Sequence, residues 1–331
     1  MANDRSQLER NIAMELVRAT EAAAMAAARH LGLGNKELVD QSAVDAMRLI
    51  LNNISMDGLV VIGEGEKDEA PMLYIGESVG GGSEPVVDIA VDPVDGTTLT
   101  ARGLPGALSA IVLSPRGTMN FPEQFVYMDK IVTGYEAKDR VSINASVAEN
   151  LGNIAEAKKR KVSEITVIVL DRPRHEQLLG EIREAGARIK LITDGDISAS
   201  IQAAMPDSGV DVLMGVGGTT EGVISAAAIK CIGGIIECKA WPRNDGEVKM
   251  AADTGFDISQ VYATDDLVHS DDVFVAVTGI SSGELLSGVR YLSNGAQTYS
   301  MAMRSLSGTI RWVNSVHNFS RLDKLISTEL H

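Results

Sequence analysis

Two aspartates stand close together in the segment Asp92-Pro93-Val94-Asp95-Gly96-Thr97. Carboxylate oxygens are the ligands that Mg²⁺ and Mn²⁺ take in phosphoryl-transfer sites. The Gly-Thr pair that follows predicts a helix start, where unpaired backbone N–H groups attract a phosphate. An acidic turn that caps a helix is the alternative for so short a pattern. Because further carboxylates lie upstream, we interpret the segment as part of a metal and phosphate site.

A second acidic segment, Gly63-Glu64-Gly65-Glu66-Lys67-Asp68-Glu69, follows the apolar stretch 59–62, which predicts a strand. Glycine lets a backbone approach other groups closely, which favours a site over plain surface. Glu64 and Asp68 are therefore candidate site residues. Glu66 and Glu69 are predicted to be solvated.

The paired aspartates must be positioned by the strand that precedes them. Apolar residues alternate with others over 87–91, which predicts a β-strand that ends near Asp92. Pro93 is expected to force a turn that brings Asp95 back toward Asp92.

A helix is predicted upstream, from about Asp40 to Asn52, after a loop that holds Lys36. Asp40 then lies in the first turn of this helix. From its position alone, Asp40 is open to two interpretations, a helix cap or a metal ligand.

The composition restricts the classes of function. The 331 residues are 45% hydrophobic and 23% charged, which is typical of a globular protein, and the net charge of −15 disfavours nucleic acid and anionic membranes as partners. Apolar runs stay below the ~18 residues of a membrane helix. With a polar N-terminus and only two cysteines, Cys231 and Cys238, we expect a cytoplasmic protein with reduced thiols.

The second half reads as repeated strand–loop–helix units. Apolar strands are predicted at 165–170, 188–192 and 210–214, each followed by a polar or glycine-rich loop and a helix. The loops should open on one edge of a largely parallel sheet, where ligands of α/β folds bind. A boundary in the lysine-rich stretch before these strands predicts two α/β domains, 1–155 and 156–331.

The three loops carry complementary chemistry. Arg172 and Arg174 offer planar guanidinium groups to a phosphate, and Asp194 and Asp196 can accept hydrogen bonds from hydroxyls. The glycine loop 215–222 exposes backbone N–H groups. This combination suits a phosphorylated polyol. A solvated helix entrance is the alternative for the arginines, and His175 beside them is interpreted as a cap or a packed ring.

The glycine loop lacks the spacing of a dinucleotide site, because Thr220 occupies the position of the third glycine, and the chain has no P-loop. Glu221 either carries a carboxylate to the metal site or only complements the helix N-terminus. Tyr127 and Lys130 could reach a polar ligand, and the alternative is that Tyr127 fills the edge of the core.

The motifs taken together resemble those of the bacterial class II fructose-1,6-bisphosphatases, from about Asn11 to His317. The shorter motif Asp-Pro-x-Asp-Gly-Thr is shared by the lithium-sensitive sugar and inositol phosphatases. The class II pattern comprises the segment that begins at Gly63, the motif at Asp92, Arg172-Pro-Arg-His, Asp194-Gly-Asp and Gly217-Gly-x-x-Glu-Gly.

The resemblance implies an α/β fold, a layered α-β-α-β-α sandwich with the active site between two halves. It implies hydrolysis of the 1-phosphate of fructose 1,6-bisphosphate in gluconeogenesis, dependence on Mg²⁺ or Mn²⁺, and a homo-oligomer, dimer or tetramer. Sedoheptulose-1,7-bisphosphatase and inositol-type phosphatase activities are the alternatives on the same scaffold. A sugar-phosphate sensor without catalysis is the alternative from another class.

The resemblance also assigns roles by motif. Lys36 and Asp68 would belong to the catalytic neighbourhood, and we hypothesise that Asp68 or Thr97 orients or deprotonates the attacking water. The implied metal ligands are Asp40, Glu64, Asp92, Asp95 and Glu221. The implied substrate contacts are Asp95, Gly96, Thr97, Tyr127, Arg172, Pro173, Arg174, Asp194, Gly195, Asp196 and Gly218.

The chain departs from the family pattern at four positions. Thr220 replaces a proline, Leu33 and Asn35 replace an arginine and an aspartate, and Gly106 stands where asparagine is common. None of these departures removes an implied ligand. They bear on loop rigidity, and through it on affinity and metal preference.

Overall fold

The computed structural model describes residues 11–63, 73–122 and 124–321. It contains two β-sheets with associated helices, which confirms the predicted α/β class. The helices are α1 (Ile12–Ala28), α2 (Lys36–Leu51), α3 (Thr97–Arg102), α4 (Val147–Ala157), α5 (Glu176–Glu184), α6 (Asp196–Ala204), α7 (Thr219–Ile232), α8 (Asp245–Thr254) and α9 (Thr264–Leu267). The strands are β1 (Asp57–Ile62), β2 (Ser78–Val79), β3 (Val86–Asp95), β4 (Leu108–Pro115), β5 (Tyr127–Thr133), β6 (Thr166–Leu170), β7 (Arg188–Ile192), β8 (Val212–Gly218), β9 (Ile235–Ala240), β10 (Tyr262–Ala263), β11 (Phe274–Gly279), β12 (Arg290–Leu292), β13 (Gly295–Arg304) and β14 (Thr309–Asn318).

The chain forms two compact units, and the first comprises the described parts of Met1–Leu113, Phe274–Met303 and Ile310–His331. Its sheet has the order β12-β13-β11-β4-β3-β1-β2, with β14 paired to β13. Leu16 of α1 and Met47 of α2 are fully buried in the same core cluster as Ile89 of β3. The alternating apolar residues of β3 therefore anchor the segment that carries the paired aspartates.

The second unit comprises Ser114–Val273 and Arg304–Thr309. Its sheet has the order β10-β9-β5-β8-β6-β7. Strand β6 is parallel to both β7 and β8, so the three predicted strand–loop–helix units do end at one edge. The prediction of a largely parallel sheet is wrong for the rest, because β5 is antiparallel to β8 and β9, and β10 is antiparallel to β9. The hydrophobic pattern of a buried strand does not identify its neighbour in the sheet, and so does not give the direction of that neighbour.

The division between the units differs from the expected boundary at 155. Residues 114–155 belong to the second unit, whereas β11 and most of β13 and β14 rejoin the first. Local composition does not predict that a later part of the chain returns to the first unit. Among the described residues, no helix is both long and apolar enough to cross a membrane.

Candidate functional site

Asp92 and Asp95 both lie in β3, which continues through Pro93 and ends at Asp95. The predicted turn at Pro93 is therefore wrong, since the φ that proline imposes is compatible with extended backbone. The chain turns one residue after the strand, at Gly96, whose φ is +94°. A side chain is disfavoured at that φ. The predicted helix start is confirmed, because α3 begins at Thr97.

Asp40 does not cap its helix. Helix α2 begins at Lys36, earlier than predicted, and Asn35 is the N-cap, whose side chain accepts a hydrogen bond from the Leu38 N–H at 3.0 Å. Asn35 is a favoured cap residue that moves the helix start back by one turn. Asp40 instead accepts a hydrogen bond of 2.8 Å from the hydroxyl of Thr97.

The start of α3 is joined to α2 at a second point. The ammonium of Lys36 donates to the Thr98 hydroxyl at 2.7 Å, and the Thr97 hydroxyl also lies 3.2 Å from the Val94 carbonyl oxygen. Lys36, Asp40 and Thr97, which belong to the predicted site, are therefore brought together in the first unit.

The carboxylates of this unit differ in exposure. Asp95 is only 4% exposed, and half-buried Asp92 accepts a hydrogen bond from the Val94 N–H at 3.1 Å. Glu64 and Asp68, also predicted for the site, lie outside the described residues. Over residues 11–63, 73–122 and 124–321, no three Asp, Glu, His or Cys side chains are grouped closely enough to hold a metal ion.

The donor types available in the first unit nevertheless fit a hard divalent ion. Asp40, Asp92 and Asp95 offer carboxylate oxygens only, which favour Mg²⁺ or Mn²⁺ over metals that prefer nitrogen or sulfur. The Thr97 hydroxyl donates to Asp40, an arrangement that orients the carboxylate.

In the second unit, the glycine-rich stretch is a strand and not a loop. Gly215 to Gly218 are the last residues of β8, which corrects the predicted loop. Pairing with β5 supplies the reason, because Tyr127 lies opposite Gly218 in the antiparallel register. A strand neighbour can satisfy the backbone of glycines that local sequence marks as a turn. Two predicted substrate contacts, Tyr127 and Gly218, are therefore adjacent.

Arg174 is held in place on two sides. Its guanidinium lies 5.0 Å from the centroid of the Tyr127 ring and donates to the Val216 carbonyl oxygen, at 2.8 Å from Nη2. Burial lowers the pKa of Arg174, although an arginine stays protonated in proteins. Because of these contacts, Arg174 is not simply a solvated side chain at the start of a helix, which was the alternative interpretation. Arg172 donates to the Asp171 carbonyl oxygen at 3.1 Å, and Pro173 begins a short 3-10 helix.

His175 is a packed ring, the second of its two interpretations. Its Nδ1 lies 2.6 Å from the Leu170 carbonyl oxygen, and its Nε2 accepts from the Val216 N–H at 2.8 Å. Because the carbonyl only accepts, the proton is on Nδ1 and the ring is neutral. Burial lowers the pKa of His175 and favours this neutral form. Through these two hydrogen bonds, His175 connects the loop after β6 to strand β8.

Lys130, for which the sequence left contact with a polar ligand open, is buried in this region. Its ammonium forms an ion pair with Asp196 and donates to the Gly218 carbonyl oxygen at 2.9 Å. Burial lowers the pKa of Lys130, but the charges of Asp196 and Glu221 more than offset it, and the net shift is upward. The signal was a lysine inside an apolar strand, because a buried ammonium requires a partner.

Asp194 and Asp196 lie on either side of Gly195, a left-handed residue with a φ of +91°. Asp196 is the first residue of α6 and is 6% exposed, whereas Asp194 is half-buried. The predicted pair is therefore placed at the end of β7, next to the loop after β6.

Glu221 folds back over the end of β8. A Cβ atom on Gly218 would lie 1.8 Å from Oε2 of Glu221, so the carboxylate occupies space that only glycine leaves open. The Thr220 hydroxyl donates to the same oxygen at 2.8 Å. Glu221 is thus held as an oxygen donor at the start of α7, as a metal ligand would be.

The departures from the family pattern have structural explanations. Asn35 caps α2 as an aspartate would, and Leu33 is 67% exposed, where an arginine would also be solvated. Gly106 has a φ of +102°, a conformation that glycine and, less readily, asparagine tolerate. Thr220 replaces the rigidity of proline with a hydrogen bond to Glu221.

The chain is similar to known proteins over nearly its whole length. The family described as "Bacterial fructose-1,6-bisphosphatase, glpX-encoded" matches residues 10–317. The chain is 42% identical over 330 residues to "Fructose-1,6-bisphosphatase 1 class 2" of Escherichia coli K12, covering 96% of this chain and 98% of that protein, and equally to "Fructose-1,6-bisphosphatase class 2" of Shigella flexneri. Among solved structures, the extragenic suppressor protein suhB from Bartonella henselae is similar with a TM-score of 0.33 at 15% identity, over 59% of this chain and 73% of that one. The match to family and relatives over nearly the whole length shows that the chain belongs to the bacterial class II fructose-1,6-bisphosphatase family.

Proposed function

We propose that this protein hydrolyses the 1-phosphate of fructose 1,6-bisphosphate, which yields fructose 6-phosphate and phosphate and serves gluconeogenesis. The observation that carries this proposal is the family match over residues 10–317. The chemistry of both units supports it. The first offers carboxylates beside a helix start, and the second holds an arginine and two aspartates at one sheet edge.

The enzyme is a metal-dependent phosphatase, and we propose Mg²⁺ or Mn²⁺ as the metal. The proposed ligands are Asp40, Glu64, Asp92, Asp95 and Glu221. A bound divalent ion lowers the pKa of a water molecule and neutralises phosphate charge. The hard oxygen donors and the fixed position of the Glu221 carboxylate support this assignment.

Thr97 is proposed to orient the attacking water. Its hydroxyl proton is directed to Asp40, so the oxygen lone pairs can accept a hydrogen bond from that water. Asp68 is proposed to accept the proton as general base. Lys36, whose ammonium donates to Thr98, brings positive charge to the reacting phosphate. The backbone N–H groups of Gly96 and Thr97 are proposed phosphate donors, and Asp95 contacts the substrate beside them.

The other end of the substrate is assigned to the second unit. Arg172 and Arg174 bind the 6-phosphate, because guanidinium groups offer paired donors to phosphate oxygens. Asp194 and Asp196 accept hydrogen bonds from the sugar hydroxyls. The remaining proposed contacts are Tyr127, Pro173, Gly195 and Gly218.

The decisive experiment measures phosphate release from fructose 1,6-bisphosphate by metal-free enzyme, with Mg²⁺ or Mn²⁺ titrated in and lithium added as an inhibitor. We expect turnover that requires the metal. Faster turnover of sedoheptulose 1,7-bisphosphate or an inositol phosphate would instead support the alternative phosphatases. Binding of the bisphosphate without turnover under both metals would support a sensor.

We also propose a cytoplasmic location and a homo-oligomeric state, dimer or tetramer. The two cysteines are buried and unpaired, and burial raises the pKa of Cys238 to about 12, which suits reduced, inert thiols. Exposed Trp312 and Val316 on β14 offer apolar surface for a subunit contact. Light scattering coupled to size exclusion measures the mass of the assembly.

A further inference from the structure

We propose that Lys130 is a positioning residue that prepares Asp196 to recognise a hydroxyl group of the sugar. This inference rests on the proposed function, because it takes Asp196 as a substrate contact. Lys130 itself need not touch the substrate, since its side chain is fully buried.

The position of Lys130 follows from β5. Tyr127 and Lys130 belong to the same strand, and the register places Lys130 opposite Gly215 of β8 and Cys238 of β9. From this central position, Lys130 binds Asp196 of α6 and donates to the Gly218 carbonyl oxygen at 2.9 Å. One ammonium therefore fixes the first residue of α6 relative to the last residue of β8.

The two oxygens of Asp196 have different surroundings. Lys130 binds Oδ2, and over the described residues Oδ1 has no hydrogen-bond partner. A carboxylate with one oxygen held by a buried cation has a fixed orientation, and its second oxygen can accept from a ligand hydroxyl.

The space for this ion pair depends on a neighbouring glycine. A Cβ atom on Gly217 would lie 2.0 Å from Asp196 Oδ2 and 2.8 Å from the Lys130 ammonium nitrogen. The φ of Gly217 is not in the left-handed region, so its backbone does not demand glycine. The space that the Lys130–Asp196 ion pair requires therefore explains why position 217 of the motif is a glycine.

The ion pair also compensates the buried charge of Asp196. At 6% exposure, a carboxylate without a cation would be strongly disfavoured in its ionised form. The ionised carboxylate has no O–H group, so both of its oxygens act only as acceptors. Lys130 therefore preserves both the orientation and the acceptor character of Asp196.

The test uses Lys130→Met in the metal-loaded enzyme with two probes. One is fructose 1,6-bisphosphate as substrate, and the other is hexane-1,6-diol bisphosphate, a competitive inhibitor that has both phosphates but no sugar hydroxyls. We expect KM for the substrate to rise about 10- to 100-fold, as for loss of a hydrogen bond to a charged group. The inhibition constant of the diol bisphosphate should change less than about twofold, because this molecule has no sugar hydroxyl for Asp196 to bind.

A double-mutant cycle identifies the route of the effect. If Lys130 acts through Asp196, adding Asp196→Asn to Lys130→Met should raise KM little further, whereas independent residues would give additive effects. Additive effects, or equal weakening of both probes, would overturn the inference. Lys130→Gln keeps an amide NH₂ donor but removes the positive charge, and it carries the same test if Lys130→Met fails to fold.

Arg304→Met is the matched control. Arg304 and Asp272 form a buried ion pair in the same unit, with no residue of the proposed site in it. Breaking this pair should lower stability and leave KM for fructose 1,6-bisphosphate unchanged. An unchanged KM in Lys130→Met, with wild-type enzyme active, would overturn the inference and leave the function standing. Absence of turnover in the wild type would overturn the function itself.

Discussion

The guanidinium of Arg174 lies 5.0 Å from the centroid of the Tyr127 ring, so a residue of the loop after β6 rests on a residue of β5. The ring of Tyr127 is in turn in edge contact with Trp241, at a centroid distance of 6.3 Å. The Arg174 guanidinium is therefore held both by the Tyr127 ring and by a hydrogen bond to the Val216 carbonyl oxygen. Such support lowers the conformational entropy that a phosphate-binding arginine loses when its ligand binds.

Arg174→Lys should raise KM for fructose 1,6-bisphosphate about 10- to 100-fold with a smaller change in kcat, because lysine cannot reproduce paired donors. Tyr127→Leu removes the ring under Arg174 and should raise KM only a few-fold, as a partly exposed cation–π contact is worth ~1 kcal/mol. Tyr127→Phe keeps the ring and separates its effect from that of the hydroxyl. Steady-state kinetics measure all three, and a wild-type KM in Arg174→Lys would contradict the assignment.

Asp92→Asn should lower phosphate release by about 100-fold or more, because it removes a proposed metal ligand. The fold should survive, since the asparagine side-chain oxygen can still accept from the Val94 N–H. Thermal unfolding and phosphate release are measured on the same preparation. Asp45→Asn, at an exposed carboxylate on α2, is the control and should retain activity. Near-wild-type turnover in Asp92→Asn would contradict the proposal.

Thr97→Val should lower kcat by about 100-fold, because the hydroxyl that orients the water and donates to Asp40 is lost. Thr97→Ser keeps the hydroxyl and should recover most of the rate. KM should change little in either variant, since the role lies in the chemical step. If the valine and serine variants have equal kcat values, the hydroxyl has no part in the reaction.

Gly218→Ala should weaken Mn²⁺ binding about tenfold, because the new methyl group displaces the Glu221 carboxylate. Stability without metal should change little, since Gly218 has an ordinary φ of −65°. Mn²⁺ titration followed by electron paramagnetic resonance measures the affinity directly. Gly180→Ala is the matched control, since nothing lies within 4 Å of its Cβ position. Equal Mn²⁺ affinity in both variants would exclude Glu221 as a ligand.

Acid should destabilise the protein partly through His175. Because burial lowers its folded pKa, the unfolded chain binds the proton first, and the free energy of unfolding falls as pH falls below about 6.5. The contribution is complete above that pH and is lost as pH falls toward the folded pKa. Urea denaturation over this range should show a shallower pH dependence for His175→Gln. Parallel curves for the two proteins would exclude His175 as a source of acid sensitivity.

Several features of the fold could be predicted from local sequence patterns. The strand predicted over 87–91, the helix start at Thr97 and the parallel arrangement of β6, β7 and β8 are confirmed. The first two features depend on interactions between residues close in sequence, and the third depends on strand–helix–strand connections. Local propensity and hydrophobic periodicity are sufficient to predict both kinds of feature. The roles of the site residues remain predictions.

Other features depended on partners distant in sequence. Gly215 to Gly218 continue β8 because β5 lies beside them, and no local signal identifies that neighbour. The ion pair of Lys130 and Asp196 joins residues 66 positions apart. Pro93 extends a strand because extended backbone accommodates its φ, although proline more often marks a turn. The contacts that orient these residues therefore could not be predicted from the sequence.

The return of β11, β13 and β14 to the first sheet affects how the protein is made. During translation, residues 114–273 leave the ribosome as one uninterrupted stretch that contains the complete second sheet. The first sheet has to wait for β11 and β13, which β4 and β14 pair with, although α1 and α2 emerge at the start. We expect nascent chains halted once residue 273 has left the exit tunnel to resist proteolysis over residues 114–273 but not over the first unit. The part of the protein that is synthesised first is therefore the part that is completed last.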